Sequence, residues 1–372
     1  MKIGYFNSGY LPDRGGVATF AGGLAGHMAV DPRVEAVKVV AFKNSQPRHE
    51  IRGKLEVFAF AGTGIWSMLW LTAKYIHRFR HFEVFHASNI FPVGFFVIVF
   101  AKLVFRKKVF LTLHGTDVAT RQGSALVKWA KRYTLRKVDL ALANSRSTMA
   151  LATARQRVEA KQFAVIYPGV DDPSDSESKA DVRKQYHLGP DEFVVLCVGQ
   201  LIRRKGIDDL IRAVSKLSDS KIKLLIVGKG PEAENLKNLA SQLHVSDRVI
   251  FAGSVASIAS YYQASNVFAM TSKYLANDGD VEGLGLSILE AQYFGLPVIG
   301  TASGGIPETI LDGKTGIIVP ESDVDAIAEA ILKLKNDRDL AKRMGGAGKQ
   351  FVRENFSWER SVERHLEQYE KK

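Results

Sequence analysis

Two carboxylates, Glu282 and Glu290, enclose a glycine-rich segment in the stretch EGLGLSILE. The pattern predicts a helix that begins near Gly285, which places Glu290 about one and a half turns into the helix and Glu282 just before it, beside unpaired amides. Carboxylates at these two places can bind different hydroxyl-rich parts of one ligand, while the amides of Gly283 to Gly285 bind a phosphate. The alternative is that Glu282 is an N-terminal helix charge and Glu290 a surface residue.

Three consecutive cations, Arg203, Arg204 and Lys205, stand in the stretch VGQLIRRKG between a predicted strand and a predicted helix. Fixed cations in such a turn can neutralise a diphosphate as it leaves. The alternative is a solvated basic turn that pairs with the following Asp208 and Asp209, since surface ion pairs contribute little to stability.

A glycine pair, Gly15 and Gly16, follows the first predicted strand and opens the first predicted helix. Free amides and the helix dipole at such a position attract a phosphate. The surrounding residues do not form the G-x-G-x-x-G fingerprint, which disfavours a nicotinamide cofactor. A tight turn between strand and helix explains the pair equally well.

A histidine, His114, directly follows an apolar predicted strand in the stretch LTLHGTD. Ligands of open parallel sheets bind beyond the carboxyl ends of the strands, so this position favours a ligand contact. A satisfied strand-end histidine is the alternative. Asp117 either orients the imidazole or caps the next segment.

Predicted strands alternate with predicted helices along the whole chain of 372 residues, with six strands in each half. Alternation of this kind predicts an α/β protein with two doubly wound, Rossmann-like domains that face each other across a cleft. A cleft between domains is the expected ligand site. The predicted segments are an N-terminal domain over 1–170, a polar linker over 171–192, a C-terminal domain over 193–355 and a final helix over 356–372.

Charge is distributed unevenly between the two halves. Residues 1–168 hold 25 Lys and Arg against 9 Asp and Glu, whereas the rest of the chain holds 26 against 30. A basic first half predicts an anionic partner, either nucleic acid or a membrane surface. Because no groove-entering helix or nucleic-acid motif accompanies the charge, we expect no nucleic-acid partner.

A membrane-surface helix is predicted over residues 65–82, where Trp66 and Trp70 share helical spacing with basic residues around them. The alternative is that its apolar residues pack against the sheet. The longest uncharged apolar run, Ile90–Ala101, is shorter than the roughly 20 residues that span a bilayer, so we predict a buried core helix there. The single cysteine, Cys197, excludes an intramolecular disulfide and fits a reducing compartment. The N-terminus is typical of a first strand and not of a signal peptide.

The order of these motifs resembles retaining glycosyltransferases of family four, which have the two-domain GT-B fold. The resemblance covers nearly the whole chain, and its most specific part is the E-x7-E spacing of Glu282 and Glu290 followed by GGIPE at 304–308. The stretch FSWE at 356–359 is similar to the family's final helix, which crosses back onto the first domain. The stretch DVEGLG is closest to mannosyltransferases of the phosphatidylinositol mannoside type.

The resemblance implies a role for each candidate residue. Glu290 would bind the ribose of a nucleotide sugar, and Glu282 would bind the donor sugar. His114 would contact that sugar near its reacting carbon, and Lys205 with a nearby arginine would stabilise the departing diphosphate. The remaining donor-binding candidates are Gly15, Gly16, Gly199, Gln200, Arg203, Gly283, Leu284 and Gly285, with Arg204 and Lys205 among the catalytic ones.

One position departs from the family pattern: Gln200 stands where the family often has an arginine. Glutamine donates hydrogen bonds but carries no charge, so we hypothesise that Arg203 or Arg204 supplies the missing cation. The family resemblance implies no metal and no cofactor besides the nucleotide-sugar substrate. Asp278-Gly279-Asp280 is similar to a D-x-D metal motif of another glycosyltransferase class, but we interpret it as a loop.

The sequence thus predicts a metal-independent, retaining enzyme that transfers a hexose to a glycan, glycolipid or lipid-linked acceptor in cell-envelope or exopolysaccharide synthesis. We expect a cytoplasmic protein, peripheral on the inner face of the cell membrane, whose basic first domain binds the acceptor. A synthase with a soluble acceptor, a nucleotide-sugar epimerase and an inactive nucleotide-sugar-binding protein are the alternatives. The donor base, the sugar and the acceptor stay open.

Overall fold

The computed structural model describes residues 1–13, 15–119, 124–156, 158–159, 162–171, 179–255, 257–275 and 280–371. The chain forms two compact units. The first comprises Met1–Gly169 together with Phe356–Lys372, and the second comprises Val170–Asn355. Both units are α/β, as predicted from the alternation of strands and helices.

The first unit contains a sheet of eight strands among the described residues, in the order β3-β4-β2-β1-β5-β6-β7-β8. The neighbouring strands are parallel except for the β3–β4 pair. The short, charged β3 and the three-residue β8 lie at the two edges and were not among the six predicted strands. The strands are β1 (Lys2–Asn7), β2 (Ala36–Asn44), β3 (Arg48–Arg52), β4 (Leu55–Ala61), β5 (Val84–Ser88), β6 (Lys108–Leu113), β7 (Leu140–Ala143) and β8 (Phe163–Val165).

The helices of the first unit cover both faces of this sheet. In the apolar run from Ile90 onward, two π-helical segments, Ile90–Gly94 and Ile98–Val104, flank a short α-helical turn. The side chains of Val97 and Ile98 in this run are buried. The prediction of a buried core helix at Ile90–Ala101 is therefore confirmed in its burial, but an α-helix covers only Phe95–Val97 and Phe91 has an extended conformation. The α-helices are α1 (Gly16–Val30), α2 (Ile65–Arg78), α3 (Phe95–Val97), α4 (Thr116–Ala119), α5 (Ala125–Lys137) and α6 (Arg146–Gln156).

The second unit contains six parallel strands among its described residues, in the order β11-β10-β9-β12-β13-β14. Successive strands add outward from β9 on one side and from β12 on the other, so the topological switch point lies between β9 and β12. In such sheets the carboxyl ends of the two strands form the ligand crevice. The strands are β9 (Phe193–Val198), β10 (Ile222–Val227), β11 (Val249–Gly253), β12 (Val267–Met270), β13 (Val298–Thr301) and β14 (Gly316–Val319).

Helices on the two faces of the second sheet enclose two apolar layers. One helix, Lys179–Gln185, lies inside the stretch 171–192 that was predicted as a linker, and this part of the prediction is wrong. Val182 on that helix and Leu188 after it pack into the core of the second unit. The stretch is polar overall, but burial of these two apolar side chains anchors it to the unit. The helices are α7 (Lys179–Gln185), α8 (Ile207–Lys216), α9 (Ala233–Gln242), α10 (Ala259–Ala264), α11 (Leu286–Tyr293), α12 (Val324–Asn336) and α13 (Arg338–Asn355).

The last helix, α14 (Trp358–Glu370), belongs to the first unit and packs against α1. The close contact depends on a helix glycine, because a Cβ atom at Gly23 would lie 2.1 Å from the indole ring of Trp358. Leu366 and Tyr369 of α14 are buried in the same core. In the described part of the chain, no helix combines the length and the apolar character needed to cross a membrane.

Candidate functional site

The switch point of the second unit is where most of the predicted site residues meet. The turn Arg203–Lys205 follows β9 and ends at Gly206, which has the left-handed conformation with φ 59°. A Cβ atom at Gly206 would lie 2.0 Å from the carbonyl oxygen of Thr271, just beyond the end of β12. Glycine therefore lets the loops after β9 and β12 touch, as a binding site at their carboxyl ends requires.

Glu282 is the centre of a dense group of charges. Its Oε2 accepts hydrogen bonds from Nη1 of Arg204 at 2.5 Å, from Nζ of Lys205 at 2.7 Å and from Oγ of Ser272 at 3.2 Å. Nε of Arg204 also donates to Oδ2 of Asp280 at 3.0 Å. The structure thus brings together the predicted residues Arg204, Lys205 and Glu282, and adds Ser272 and Asp280, which sequence reasoning did not select.

The two cations decide the charge state of Glu282. Burial alone would raise the pKa of its carboxyl, but the charges and hydrogen bonds of Lys205 and Arg204 lower that pKa to about 2. Burial would lower the pKa of Arg204, and the neighbouring Glu282 and Asp280 reverse this and raise it above its usual value. Both signs of charge therefore persist across the physiological pH range.

The second glycine pair, Gly304 and Gly305, supports Glu282 from the loop after β13. The amide of Gly305 donates to the carbonyl oxygen of Glu282 at 3.0 Å. Cβ atoms at Gly304 and Gly305 would lie 2.1 Å and 2.2 Å from the carbonyl oxygens of Glu282 and Gly283. The glycines are required because the two backbones pass in direct contact, so the GGIPE motif holds the EGLG segment in place.

The EGLG segment leads directly into α11. Gly283, Leu284 and Gly285 are buried, and Gly285 has a left-handed φ of 96° that turns the chain into the helix. Gly285, the residue before the first turn of α11, supplies no side-chain cap to that turn. The predicted helix start near Gly285 is therefore confirmed, and the site that it was expected to form for a phosphate stays a prediction.

Glu290 lies one turn into α11 and is half-buried, which excludes a fully solvated surface residue. Its Oε2 accepts a hydrogen bond from the hydroxyl of Tyr262 at 2.7 Å. Burial raises the pKa of Glu290, and the hydrogen bond from Tyr262 partly offsets the rise. Sequence reasoning missed Tyr262 because it lies on α10, 28 residues before Glu290, in a stretch without a motif.

The loop after β9 places the two candidates for the missing cation differently. Arg204 is buried and paired, whereas Arg203 is exposed and pairs with no carboxylate among the described residues. Gln200 is also exposed. The amide of Gly199 donates to the carbonyl oxygen of Val227 at 3.0 Å, which ties this loop to the end of β10. Whether Arg203 or Arg204 replaces the family arginine stays a hypothesis.

The first unit carries the other predicted residues. Gly15 and Gly16 are exposed at the start of α1, whose first turn has no side-chain cap. Phe20 on the same helix contacts His114, with the ring centres 5.0 Å apart. The structure therefore places the glycine pair and His114 on neighbouring elements of one unit.

His114 follows β6 as predicted. Burial lowers the pKa of His114 to about 4, so its imidazole is neutral at physiological pH. Its Nε2 is buried without a hydrogen-bond partner among the described residues, which argues against the alternative of a satisfied strand-end histidine. Oδ1 of Asp117 accepts a hydrogen bond from the backbone amide of His114 at 3.1 Å. The carboxylate therefore stabilises the backbone of the loop after β6 and does not contact the imidazole through this bond.

Among the described residues, no group of three or more His, Cys, Asp or Glu side chains is arranged to hold a metal ion. Of the D-x-D stretch, Asp280 pairs with Arg204, and residues 278 and 279 lie outside the described residues.

Comparison with known proteins identifies the family. The model of glycosyltransferase family 4 matches residues 14–173, and the model of glycosyl transferases group 1 matches residues 178–351. A GDP-mannose-dependent monoacylated alpha-(1-6)-phosphatidylinositol monomannoside mannosyltransferase from Corynebacterium glutamicum is 32% identical over 281 residues, covering 71% of this chain and 70% of the relative. The chain belongs to glycosyltransferase family four.

A second relative in the family is the GDP-mannose-dependent alpha-(1-6)-phosphatidylinositol monomannoside mannosyltransferase of Mycolicibacterium smegmatis. It is 41% identical over 198 residues, which cover 51% of this chain and 52% of the relative. The chain thus spans about half the length of the mycobacterial relatives that it matches.

The fold of this family-four chain is shared with Anabaena HepE in its complex with UDP-glucose. The TM-score is 0.82 at 20% sequence identity, over 99% of both chains. This likeness confirms the predicted GT-B class of fold.

Proposed function

We propose that this chain is a glycosyltransferase that moves a hexose from a nucleoside diphosphate sugar to a hydroxyl of a glycan or lipid-linked acceptor. The bond between the anomeric carbon and the diphosphate oxygen breaks, and a bond from that carbon to the acceptor oxygen forms. The acceptor proton leaves with the diphosphate. The observation that carries the proposal is the cluster of Arg204, Lys205 and Glu282 at the switch point of the second unit, in the loops that lead to α11, where Glu290 lies one turn into the helix.

The charges of this cluster suit a leaving diphosphate. Glu282 uses one of the three N–H donors of Lys205, so the ammonium group keeps donors for phosphate oxygens. Fixed donors stabilise the charge that develops as the sugar–phosphate bond breaks. The same fixed cations make a metal ion unnecessary in this proposal, and attack on the face from which the diphosphate departs gives retention of configuration.

The two glutamates divide the donor between them in this proposal. Glu290 binds the ribose hydroxyls, because one of its oxygens is held by Tyr262 and the other accepts no hydrogen bond from the described residues. Glu282 and the EGLG amides bind the sugar and its phosphate. His114 is neutral and has a buried Nε2 without a described partner, so it can exchange a hydrogen bond with a sugar hydroxyl.

The donor site is tested by thermal unfolding with UDP, GDP, ADP and dTDP, each with and without magnesium. We expect one diphosphate at ~100 times its dissociation constant to stabilise the protein by about 2.7 kcal/mol without metal. Glu290→Ala should lose this shift, and Glu234→Ala, at an exposed position on α9, should keep it. A shift that needs magnesium would contradict metal independence. Diphosphate binding without sugar transfer would favour an inactive binding protein.

A membrane-facing surface on the first unit is the second part of the proposal. The apolar side chains of this surface, here called the tryptophan face, are strongly exposed and come from three elements that pack side by side: α2, α5 and the segment joined to α3. The tryptophan face comprises Trp66, Trp70, Leu103, Val104, Leu126 and Trp129. Trp66 is 79% exposed and Leu126 is 70% exposed, whereas Met68 and Ile76 of α2 are buried.

The charges around the tryptophan face are mostly positive among the described residues, although Asp139 pairs with Lys102 beside it. Neither α2 nor α5 contains an acidic residue, and the exposed side chains of α5 include Lys128, Arg132 and Arg136. Nζ of Lys74 lies 4.8 Å from the centre of the Trp70 ring, which places a cation beside an exposed indole. Amphipathic helices with tryptophan and basic residues bind the interface of anionic membranes, so we propose that this face contacts the inner leaflet where a lipid-linked acceptor lies.

Removal of two exposed indoles tests the membrane contact. Trp66→Ala combined with Trp129→Ala is expected to weaken binding to phosphatidylglycerol vesicles by about tenfold or more, since burying an aromatic side chain contributes about 1.5–3 kcal/mol. Co-sedimentation at several salt concentrations measures the affinity. Val30→Ala with Ile51→Ala removes exposed apolar side chains from other elements and should leave binding unchanged. Equal binding to neutral and anionic vesicles would contradict the role of the basic residues.

A further inference from the structure

A tyrosine that no motif contains lies directly behind Glu290. Tyr262 of α10 is fully buried, and its hydroxyl lies 2.7 Å from Oε2 of Glu290. The same hydroxyl is 3.4 Å from the carbonyl oxygen of Ser287, one turn earlier on α11. Because an ionised carboxylate only accepts, the phenol must donate to Glu290.

The ring of Tyr262 is held in one orientation by aromatic neighbours. It stacks on Phe294, with the ring centres 5.4 Å apart and the planes 16° from parallel, and its centre lies 6.0 Å from that of Phe268. A side chain held in this way positions its hydroxyl without further loss of rotamer freedom when a ligand binds. Tyr262 is therefore a rigid support, whereas Glu290 is a half-buried side chain with a free oxygen.

We propose that Tyr262 is a positioning residue for the donor: it holds Oε2 of Glu290 so that Oε1 is presented to the ribose hydroxyls of a nucleoside diphosphate. The proposal rests on the proposed function, since Tyr262 acts only through Glu290. Among the hydrogen bonds of the described residues, none uses Oε1 of Glu290, which leaves it available to a ligand.

The hydrogen bond also opposes protonation of Glu290. Burial raises the pKa of Glu290, and a protonated carboxyl would be a poorer acceptor for two hydroxyls. Besides Tyr262, the titratable group behind the phenol is the buried thiol of Cys197, whose pKa is itself raised to about 12 by burial. On α13, which packs against α11, the guanidinium of Arg353 lies over the ring of Tyr293 at 5.8 Å. The phenol is thus the group that favours the ionised carboxylate.

The neighbouring residue supplies a matched control. Tyr261 is also buried on α10, but its hydroxyl lies 3.2 Å from the hydroxyl of Tyr186. Tyr261→Phe therefore removes one buried hydroxyl from the same helix without touching Glu290. Any loss of folding stability that follows from removing a buried phenolic hydroxyl is therefore common to Tyr261→Phe and Tyr262→Phe.

The experiment measures kcat and KM for the donor against pH in wild type, Tyr262→Phe and Tyr261→Phe. We expect Tyr262→Phe to raise the donor KM by about tenfold with kcat within about twofold, because Glu290 loses the hydrogen bond that holds its carboxylate in position for the ribose. The acidic limb of the kcat/KM profile should move to higher pH, because the hydrogen bond from Tyr262 lowers the pKa of Glu290. Tyr261→Phe should have the donor KM and the pH profile of the wild type.

A titration that needs no donor separates this proposal from the proposed function. The carboxyl carbon of Glu290 is followed by NMR in protein with ¹³C-labelled glutamate, assigned by its loss in Glu290→Gln. A higher pKa in Tyr262→Phe than in Tyr261→Phe supports the positioning role, and equal pKa values overturn it. If Glu290→Gln leaves the donor KM unchanged, the ribose role of Glu290 fails even where the titration shows that Tyr262 holds its carboxylate.

Discussion

Lys205→Ala is expected to lower kcat for donor-dependent sugar transfer by about 100- to 1000-fold, with a much smaller change in KM. The ammonium group lies beside Glu282 in the turn after β9. In the proposed function, a leaving diphosphate would gain charge there as the bond to the sugar breaks. Removing one fixed donor from such a site costs roughly 10²- to 10³-fold in kcat. An interaction that strengthens only in the transition state affects kcat and leaves ground-state binding largely intact.

Steady-state kinetics with the donor identified by thermal unfolding measure this effect. Lys216→Ala is the control, because Lys216 is an exposed lysine at the end of α8 that pairs only with Asp325 among the described residues. A fall in kcat of less than about fivefold for Lys205→Ala would contradict the assigned role. In that case Arg203 would be the next cation to replace, since it is exposed beside the same turn.

Glu282→Gln is expected to lower the free energy of unfolding of the second unit by about 3 kcal/mol at neutral pH. The pKa of Glu282 is lowered from 4.5 to about 2, and each unit corresponds to about 1.36 kcal/mol. The neutral amide leaves Lys205 and Arg204 beside each other with only Asp280 as a described carboxylate partner. Breaking a buried ion pair by removing one partner typically costs about 3–5 kcal/mol.

The pH dependence of this difference has a definite sign. Because the pKa of Glu282 is lower in the folded state than in the unfolded chain, its contribution is fully present above about pH 4.5 and is lost as the pH falls towards 2. The difference between wild type and Glu282→Gln should therefore be constant from pH 5 to 7 and shrink below pH 4.5. Urea unfolding, with hydrogen exchange of the β9 and β12 amides to identify the second unit, measures it.

The matched control for stability is Glu234→Gln. Glu234 is a largely exposed glutamate of α9 that pairs with Lys237 at 2.8 Å, and surface pairs of this kind contribute about 0.2–1 kcal/mol. A difference between Glu282→Gln and wild type that is no larger than that of Glu234→Gln would show that solvent already screens the cluster around Glu282.

The cluster around Glu282 also has a consequence for ligand binding. Two cations, Arg204 and Lys205, face two carboxylates, Glu282 and Asp280, so the formal charge of these four residues is zero without a ligand. A diphosphate must share the two cations with the carboxylates, whereas Arg203 has no described carboxylate partner. The hypothesis that Arg203 supplies the cation that Gln200 does not carry is therefore the one that we would test first.

Features that depend on residues close together along the chain, such as strands, helix starts and turns, could be predicted from the sequence alone. The alternation of apolar runs predicted two parallel sheets because strand and helix periods are local features. The motifs EGLGLSILE and VGQLIRRKG predicted a helix start and a basic turn, since glycines and charges act on the backbone beside them. The family resemblance depends on the same short motifs and their order, which explains why the comparisons confirm it.

Contacts between distant segments required the folded chain. Asp280 and Ser272 join Arg204 and Lys205 because parallel strands bring the loops at their carboxyl ends together. Tyr262 reaches Glu290 because α10 and α11 bury residues in the same apolar core. No local pattern distinguishes Tyr262 and Ser272 from ordinary core or loop residues, and Asp280 belongs to a D-x-D stretch that was interpreted as a loop. The choice between the adjacent Arg203 and Arg204 was equally open in sequence, since burial depends on which side of the turn meets the loop after β12. Packing also decided that Trp66 and Trp70 face outward while Ile76 faces the core, as helix α2 can bury only one side against the sheet.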